Sequence, residues 1–192
     1  MTTTGQRDVV DVLIDQHEQI RRLLSEVRAA QGGRRRDLFE DLVRLLAAHE
    51  SAEETVVHPS ARAVLRAGHD VVDLRLDEEH GAKQTLASLY GLGVDHPTFD
   101  RRLAELTRQV LEHAANEENE ELRYLRENLE PARLVAMAAE FEAAQAKAPT
   151  RPHPRAGTSR AANLAAGPPL ALFDRLRDAV REWREPHDGH GA

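Results

Sequence analysis

At 192 residues, with a formal net charge of −7 and no cysteine, the chain has room for one compact domain plus an appendage. Its acidic balance argues against general nucleic-acid binding. The missing thiols exclude disulfides, thiolate-held zinc, iron–sulfur clusters and a cysteine nucleophile, which leaves nitrogen and oxygen to hold any metal.

Helical periodicity dominates the chain, and no credible strand interrupts it. Val10, Leu13, His17, Ile20, Leu24 and Val27 recur three and four apart, which predicts a first helix over 7–30 ending at the breaker pair Gly32-Gly33. Leu38, Leu42, Leu45, His49 and Val56 predict a second over 35–66, kinked at Pro59 and stopped near Gly68. A third spans 70–90 and ends around Gly91 and Gly93. Asp95 or Thr98 can cap a fourth, which runs to about 129, before Pro131. In it Leu103, Leu106, Val110, His113, Glu117 and Tyr124 keep the rhythm, with Glu120 filling the remaining step.

Short connections make neighbouring helices antiparallel, so the fold class is all-α: an up-down-up-down four-helix bundle over 1–130 with a C-terminal helical arm over 131–192. The arm divides into three. A short helix from Pro131 to about Lys147 carries Leu134, Met137 and Phe141; a proline-rich strap covers 148–169; an amphipathic helix over 170–183 presents Leu172, Phe173, Leu176, Val180 and Trp183. That last helix is expected to dock on a bundle and shield its centre, with domain-swapped dimerisation as the alternative, so both monomer and homodimer remain open. No apolar run is long enough to cross a membrane, and the first residues lack the core of a signal peptide. A cytoplasmic protein is expected, with no membrane and no nucleic-acid partner.

Two stretches of the chain repeat one another in their chemistry. The first holds His17, His49 and Glu53; the second holds His80, His113 and Glu117. His17 and His80 lie 63 residues apart, and the two other pairs 64 apart. His49/Glu53 and His113/Glu117 are i, i+4 pairs, so each pair shares one helical face. These polar groups sit in the seam that otherwise faces the core, where they are costly unless something satisfies them. Two αα-hairpins related by an approximate two-fold axis bring all six to the bundle centre. Four imidazoles and two carboxylates there read as a two-metal site, with Glu53 and Glu117 each spanning both ions. The residual charge calls for a bridging oxide or hydroxide, and about one coordination position per metal stays open.

Several neighbours enter the reading with other roles. Glu50 follows His49 directly, points about 100° away and is expected to be solvated. Glu18, Glu54, Glu79 and Glu118 flank the ligands as candidates for orienting hydrogen bonds. Tyr124 is a candidate redox or hydrogen-bonding neighbour. His58, nearly opposite His49, is assigned to the surface, as are His69, His96, His153, His187 and His190.

At Asp15-Gln16-His17-Glu18, His49-Glu50-Ser51-Ala52-Glu53-Glu54, Glu78-Glu79-His80 and His113-Ala114-Ala115-Asn116-Glu117-Glu118 the chain resembles the hemerythrin-like family of HHE cation-binding domains. The resemblance covers about 7–129 and implies a non-haem di-iron centre inside the bundle. It implies a protein that binds or reacts with dioxygen, peroxide or nitric oxide, in sensing, iron handling or detoxification. Oxygen-carrying members pair the third-helix histidine with a second one four residues on; here that position is Gln84. Their fourth helix supplies an aspartate five residues after its histidine, where this chain has Glu117 four residues after His113. Reversible oxygen carriage therefore does not transfer with the resemblance. An enzyme that decomposes peroxide, or a di-iron oxidase or oxygenase on a small substrate, is the alternative, and a bundle merely stapled by its metals is the third.

Overall fold

The computed structural model of the protein describes residues 7–64 and 68–147. The strap over 148–169 and the amphipathic helix over 170–183, with the docking and swapping expected of them, lie outside the described residues. Within them the architecture is all-α: α1 (Val9–Ala29), α2 (Gly32–Ala52), α3 (His58–Val64), α4 (Gly68–Leu92), α5 (Phe99–Glu117), α6 (Arg123–Asn128) and α7 (Pro131–Lys147). A wide π-helical turn, Glu53–Val57, joins α2 to α3, and a second, Glu118–Leu122, joins α5 to α6. Four long rods result, as the periodicity predicts, and α7 lies against them.

Local chemistry sets the ends. Asp8 caps α1 by accepting from the Asp11 N–H at 2.9 Å, and Asp11 returns a bond to the Asp8 N–H. This satisfies two N–H groups that a helix start leaves unpaired. Gly32, with φ at 56°, makes the turn into α2. The glycine pair thus opens α2 rather than filling a gap before it, and the helix starts three residues ahead of the expected position. Pro131 opens α7 at a first-turn position, where its missing N–H costs nothing.

The wide turn at Glu53–Val57 answers for Pro59. The proline has no N–H for the Thr55 carbonyl, and its ring would press on that carbonyl in a regular helix. Instead the His58 N–H reaches back five residues to Glu53, so the kink expected at Pro59 becomes one enlarged turn just before it. The second wide turn has no proline. Each inserts one residue, which rotates everything beyond it by about 100°.

The two hairpins α1–α2 and α4–α5 pack face to face and enclose two apolar clusters. One gathers Ile20, Leu24, Phe39, Leu42, Leu46, Leu86, Leu89, Phe99, Leu103 and Leu106; the other gathers Val9, Leu13, Val57, Val72, Leu122 and Leu125. Leu134, Met137 and Phe141 of α7 join only the second cluster. Each of these side chains contributes about 1.5–3 kcal/mol by leaving water, which holds the fifth helix down on α1 and α2.

Candidate metal centre

A polar layer separates the two apolar clusters, as chain order on every rod shows. On α1 His17 falls between Leu13 of one cluster and Ile20 of the other; on α2 His49 falls between Leu46 and Ala52. Buried in this layer are His17, His49, Glu50, Glu53, His58, Glu79, Lys83, His113, Glu117 and Glu121. An ionised carboxylate so placed costs several kcal/mol unless a cation compensates it. Five buried acids share the layer with Lys83 and four histidines, so full ionisation of the acids calls for more positive charge than Lys83 and His58 supply.

Two groups of donors converge within the layer. One ligand atom from each of His17, His49, Glu53 and Glu117 lies within 4.8 Å of the others, and so do atoms of Glu53, Glu79 and His113. Glu53 belongs to both groups, which makes them adjacent.

Each of the three imidazoles is held from outside through Nδ1. His17 Nδ1 donates to Glu118 Oε1 at 2.8 Å, His49 Nδ1 to Gln16 Oε1 at 2.9 Å, and His113 Nδ1 to Glu78 Oε2 at 3.2 Å. A neutral ring that donates from Nδ1 keeps its lone pair on Nε2. The Nε2 atoms of His17 and His49 lie 3.2 Å from Glu117 and 2.9 Å from Glu53. His17 Nε2, His113 Nε2 and both oxygens of Glu53 and of Glu117 are buried with no hydrogen-bond partner. Orphaned buried polar atoms are rare in folded proteins. A set of them converging from α1, the first wide turn and α5, nitrogen and oxygen only, fits a cation that accepts their lone pairs.

Titration follows the same geometry. Burial pushes the Glu53 carboxyl well up, and the neighbouring acids Glu117, Glu79, Glu50 and Glu121 add to it. Glu117 goes the other way: burial opposes ionisation, but His17, His113 and His49 around it hold it below the usual carboxylate range. Burial and the neighbouring His17 depress His49 to about 3, so its ring is neutral and free to ligate.

Beside the donors stands a buried ionic strut. His58 Nε2 donates to Glu79 Oε1 at 2.7 Å and its Nδ1 to Glu121 Oε1 at 3.0 Å. With carboxylates on both nitrogens the ring must be an imidazolium; burial opposes the charge, yet these two bonds raise its pKa to about 10. Lys83 Nζ lies 2.7 Å from Glu54, 2.9 Å from Glu79 and 3.3 Å from Glu50.

Of the six residues expected at the centre, the fold brings together five: His17, His49, Glu53, His113 and Glu117. His80 is exposed, its Nε2 accepting from the Gln84 amide at 2.7 Å. Glu79 takes the place on α4. The buried seam of that helix runs through Val72, Arg75, Glu79, Ala82, Leu86 and Leu89, and two of its members are charged, which hides it from a search for apolar periodicity. His80 sits one residue off that seam.

The wide turns account for most other differences. His58, expected on the surface, is buried because the inserted residue swings it from opposite His49 towards the core. The step expected at Glu120 is taken by Glu121, and that at Tyr124 by Leu125, each displaced by one residue. Tyr124 is 36% exposed and stands away from the centre. Glu50, expected in solvent, is buried, and burial raises its carboxyl to about 7 against the pull of Lys83. Of the flanking acids, Glu118 accepts from His17, Glu54 holds Lys83, and Glu18 pairs with Arg21 near the surface. Glu78, Gln16 and Glu121 carry bonds that spacing did not single out. A cleft lined by Ile20, Leu46, Ala82, Val110 and Leu111 opens beside Arg21 and reaches His17, His49, Glu50 and His113.

Fold and site together define a helix-bundle protein with a buried metal-binding centre. The family model of the hemerythrin HHE cation-binding domain matches residues 8–125. The chain belongs to that family. It is 28% identical over 139 residues to an uncharacterised hemerythrin-like protein of Schizosaccharomyces pombe, covering 72% of this chain and 68% of that one. A DNA nickase of Nostoc sp. is also 28% identical, over 141 residues that make up 73% of this chain but 40% of that protein. The chain thus spans less than half of that relative's length. The crystal structure of a hemerythrin HHE cation-binding domain-containing protein from Mycobacterium kansasii shares the fold, with a TM-score of 0.69 at 18% identity, over 88% of this chain and 99% of that one. Among the described residues, no helix is long and apolar enough to cross a membrane.

Proposed function

We propose that the chain holds two iron ions and uses them to bind or react with dioxygen, peroxide or nitric oxide. His17, His49 and Glu117 would serve one ion, His113 and Glu79 the other, with Glu53 common to both. His80 has no part in this set. The observation that carries the reading is the convergence of orphaned donor atoms whose imidazoles are each anchored through Nδ1 by an oxygen outside the centre. Mixed imidazole and carboxylate donors suit iron, and a bound pair supplies Lewis-acid and redox chemistry towards small oxidants.

The protein's own share is orientation and exclusion. Glu118, Gln16 and Glu78 keep the three rings in the ligating tautomer. The apolar clusters above and below the layer keep bulk water out. The cleft beside Arg21 is narrow and apolar-walled, which favours a diatomic or peroxide over an organic substrate. A peroxide-decomposing enzyme differs from a binding protein only in turnover, so one experiment addresses both. Metal analysis of aerobically purified protein should give two irons per chain with a near-ultraviolet charge-transfer band. Stopped-flow mixing of the reduced protein with dioxygen and with peroxide then separates a reversible adduct from catalytic loss of peroxide. One zinc per chain and no such band would reject the iron reading.

A further inference from the structure

The fifth helix reaches the polar layer at His49. Gln145, near the end of α7, forms a reciprocal amide pair with Gln16 on α1: each Nε2 donates to the other's Oε1 at 2.8 Å. The same Gln16 Oε1 accepts from His49 Nδ1 at 2.9 Å. One turn back on α7, Phe141 presents its ring to His49 in an edge contact, centroid to centroid 6.2 Å. Gln16 and Gln145 are both half-buried, and Phe141 is fully buried. His17 and His113 donate their outer bonds to acids, Glu118 in the second wide turn and Glu78 on α4. His49 alone depends on a neutral amide that is itself held by an element lying beyond the residues the family model matches.

The chemistry of that arrangement is specific. An imidazole ligates through Nε2 only if its proton stays on Nδ1, and an acceptor fixed opposite Nδ1 keeps it there. Gln16 can present either its oxygen or its NH2 to the ring, and a free amide rotates between the two. The paired amide of Gln145 holds the plane of Gln16 and ties any flip of Gln16 to a simultaneous flip of its own amide, which favours the orientation with Oε1 facing His49. We propose that Gln145 is a positioning residue of the metal centre, and that docking of α7 and metal occupancy at His49 favour one another. The proposal rests on the metal-binding reading above. Reciprocity follows from linkage: whatever α7 adds to metal affinity, metal adds to the docking of α7.

The test uses the full chain with ferrous iron added anaerobically, and three readouts. In wild type, iron should slow amide hydrogen exchange over 134–146, and long-range nitrogen–proton spectra of the metal-free protein should show His49 with its proton on Nδ1. Gln145→Leu keeps the size and removes the amide. It should abolish the iron-induced protection, mix the His49 tautomers and speed iron loss about tenfold, in line with the 10- to 100-fold cost of losing an orienting partner. Gln145→Glu still accepts from Gln16 Nε2 and should stay much closer to wild type, which a merely structural contact would not require. Wild-type exchange and tautomer in Gln145→Leu, with iron bound and released as in wild type, would overturn the proposal. Should Gln145→Leu undock α7 outright, as metal-free exchange would reveal, the Glu variant and the wild-type iron effect still decide it. Failure of wild type to bind iron at all would refute the metal reading instead, and the two failures are told apart by the iron content.

Discussion

Replacing His58 by Leu should destabilise the metal-free protein severely, although the residue belongs to neither donor group. The side chain is 2% exposed and both its nitrogens donate to carboxylates that are themselves fully buried, at 2.7 and 3.0 Å. Leucine fills the space but leaves Glu79 and Glu121 facing apolar surroundings with less positive charge. Breaking a buried ion pair from one side costs about 3–5 kcal/mol, and two charge-assisted hydrogen bonds at about 1.5–3 kcal/mol each lead to the same range. For a domain of this size that is a fall in Tm of roughly 6–20 °C. The pH dependence has a definite sign. A histidine whose pKa rises from 6.5 unfolded to about 10 folded stabilises fully below pH 6.5, progressively less above it, and not at all beyond about pH 10. The rise corresponds to about 5 kcal/mol, close to the range from the contacts. Urea unfolding followed by circular dichroism at pH 7 gives the cost of the variant, and nitrogen chemical shifts give the charge on His58. A loss below 1 kcal/mol, or a neutral ring at pH 8, would refute the argument.

Three further outcomes follow from the site. Glu53→Ala should empty both metal positions, whereas His113→Ala and Glu117→Ala should each deplete mainly one, and His80→Ala should leave the metal content unchanged; elemental analysis of the four variants reads this directly. Stripping metal with a chelator should lower Tm, since a ligand present at a thousand times its Kd stabilises the fold by about 4 kcal/mol; differential scanning calorimetry with and without iron measures the shift. Asp8→Ala removes the cap of α1 and the partner of Arg126 on α6, at 2.9 and 3.0 Å, and should cost about 1–2 kcal/mol in denaturant unfolding while leaving metal content intact.

What the amino-acid order determined by itself was the repeat. Two His-x-x-x-Glu pairs at constant spacing, set in the apolar seam of otherwise regular helices, dictate both a helical bundle and a polar layer in its core, because i, i+4 spacing and burial are local consequences of helix geometry. His17, His49, Glu53, His113 and Glu117 were legible for that reason. Phase beyond an irregular turn was not. The residue inserted at Glu53–Val57 turns His58 inward, and the one at Glu118–Leu122 exchanges Glu120 for Glu121; periodicity carried across either turn ends one position out. The burial of Glu79 rather than His80 was likewise tertiary, since two overlapping seams run along α4 and only packing against α3 and α5 selects between them. The anchoring of His49 by Gln16 and Gln145 joins residues 129 apart in the chain. No local pattern announces such a contact, because it is packing in the second apolar cluster that places α7 beside His49.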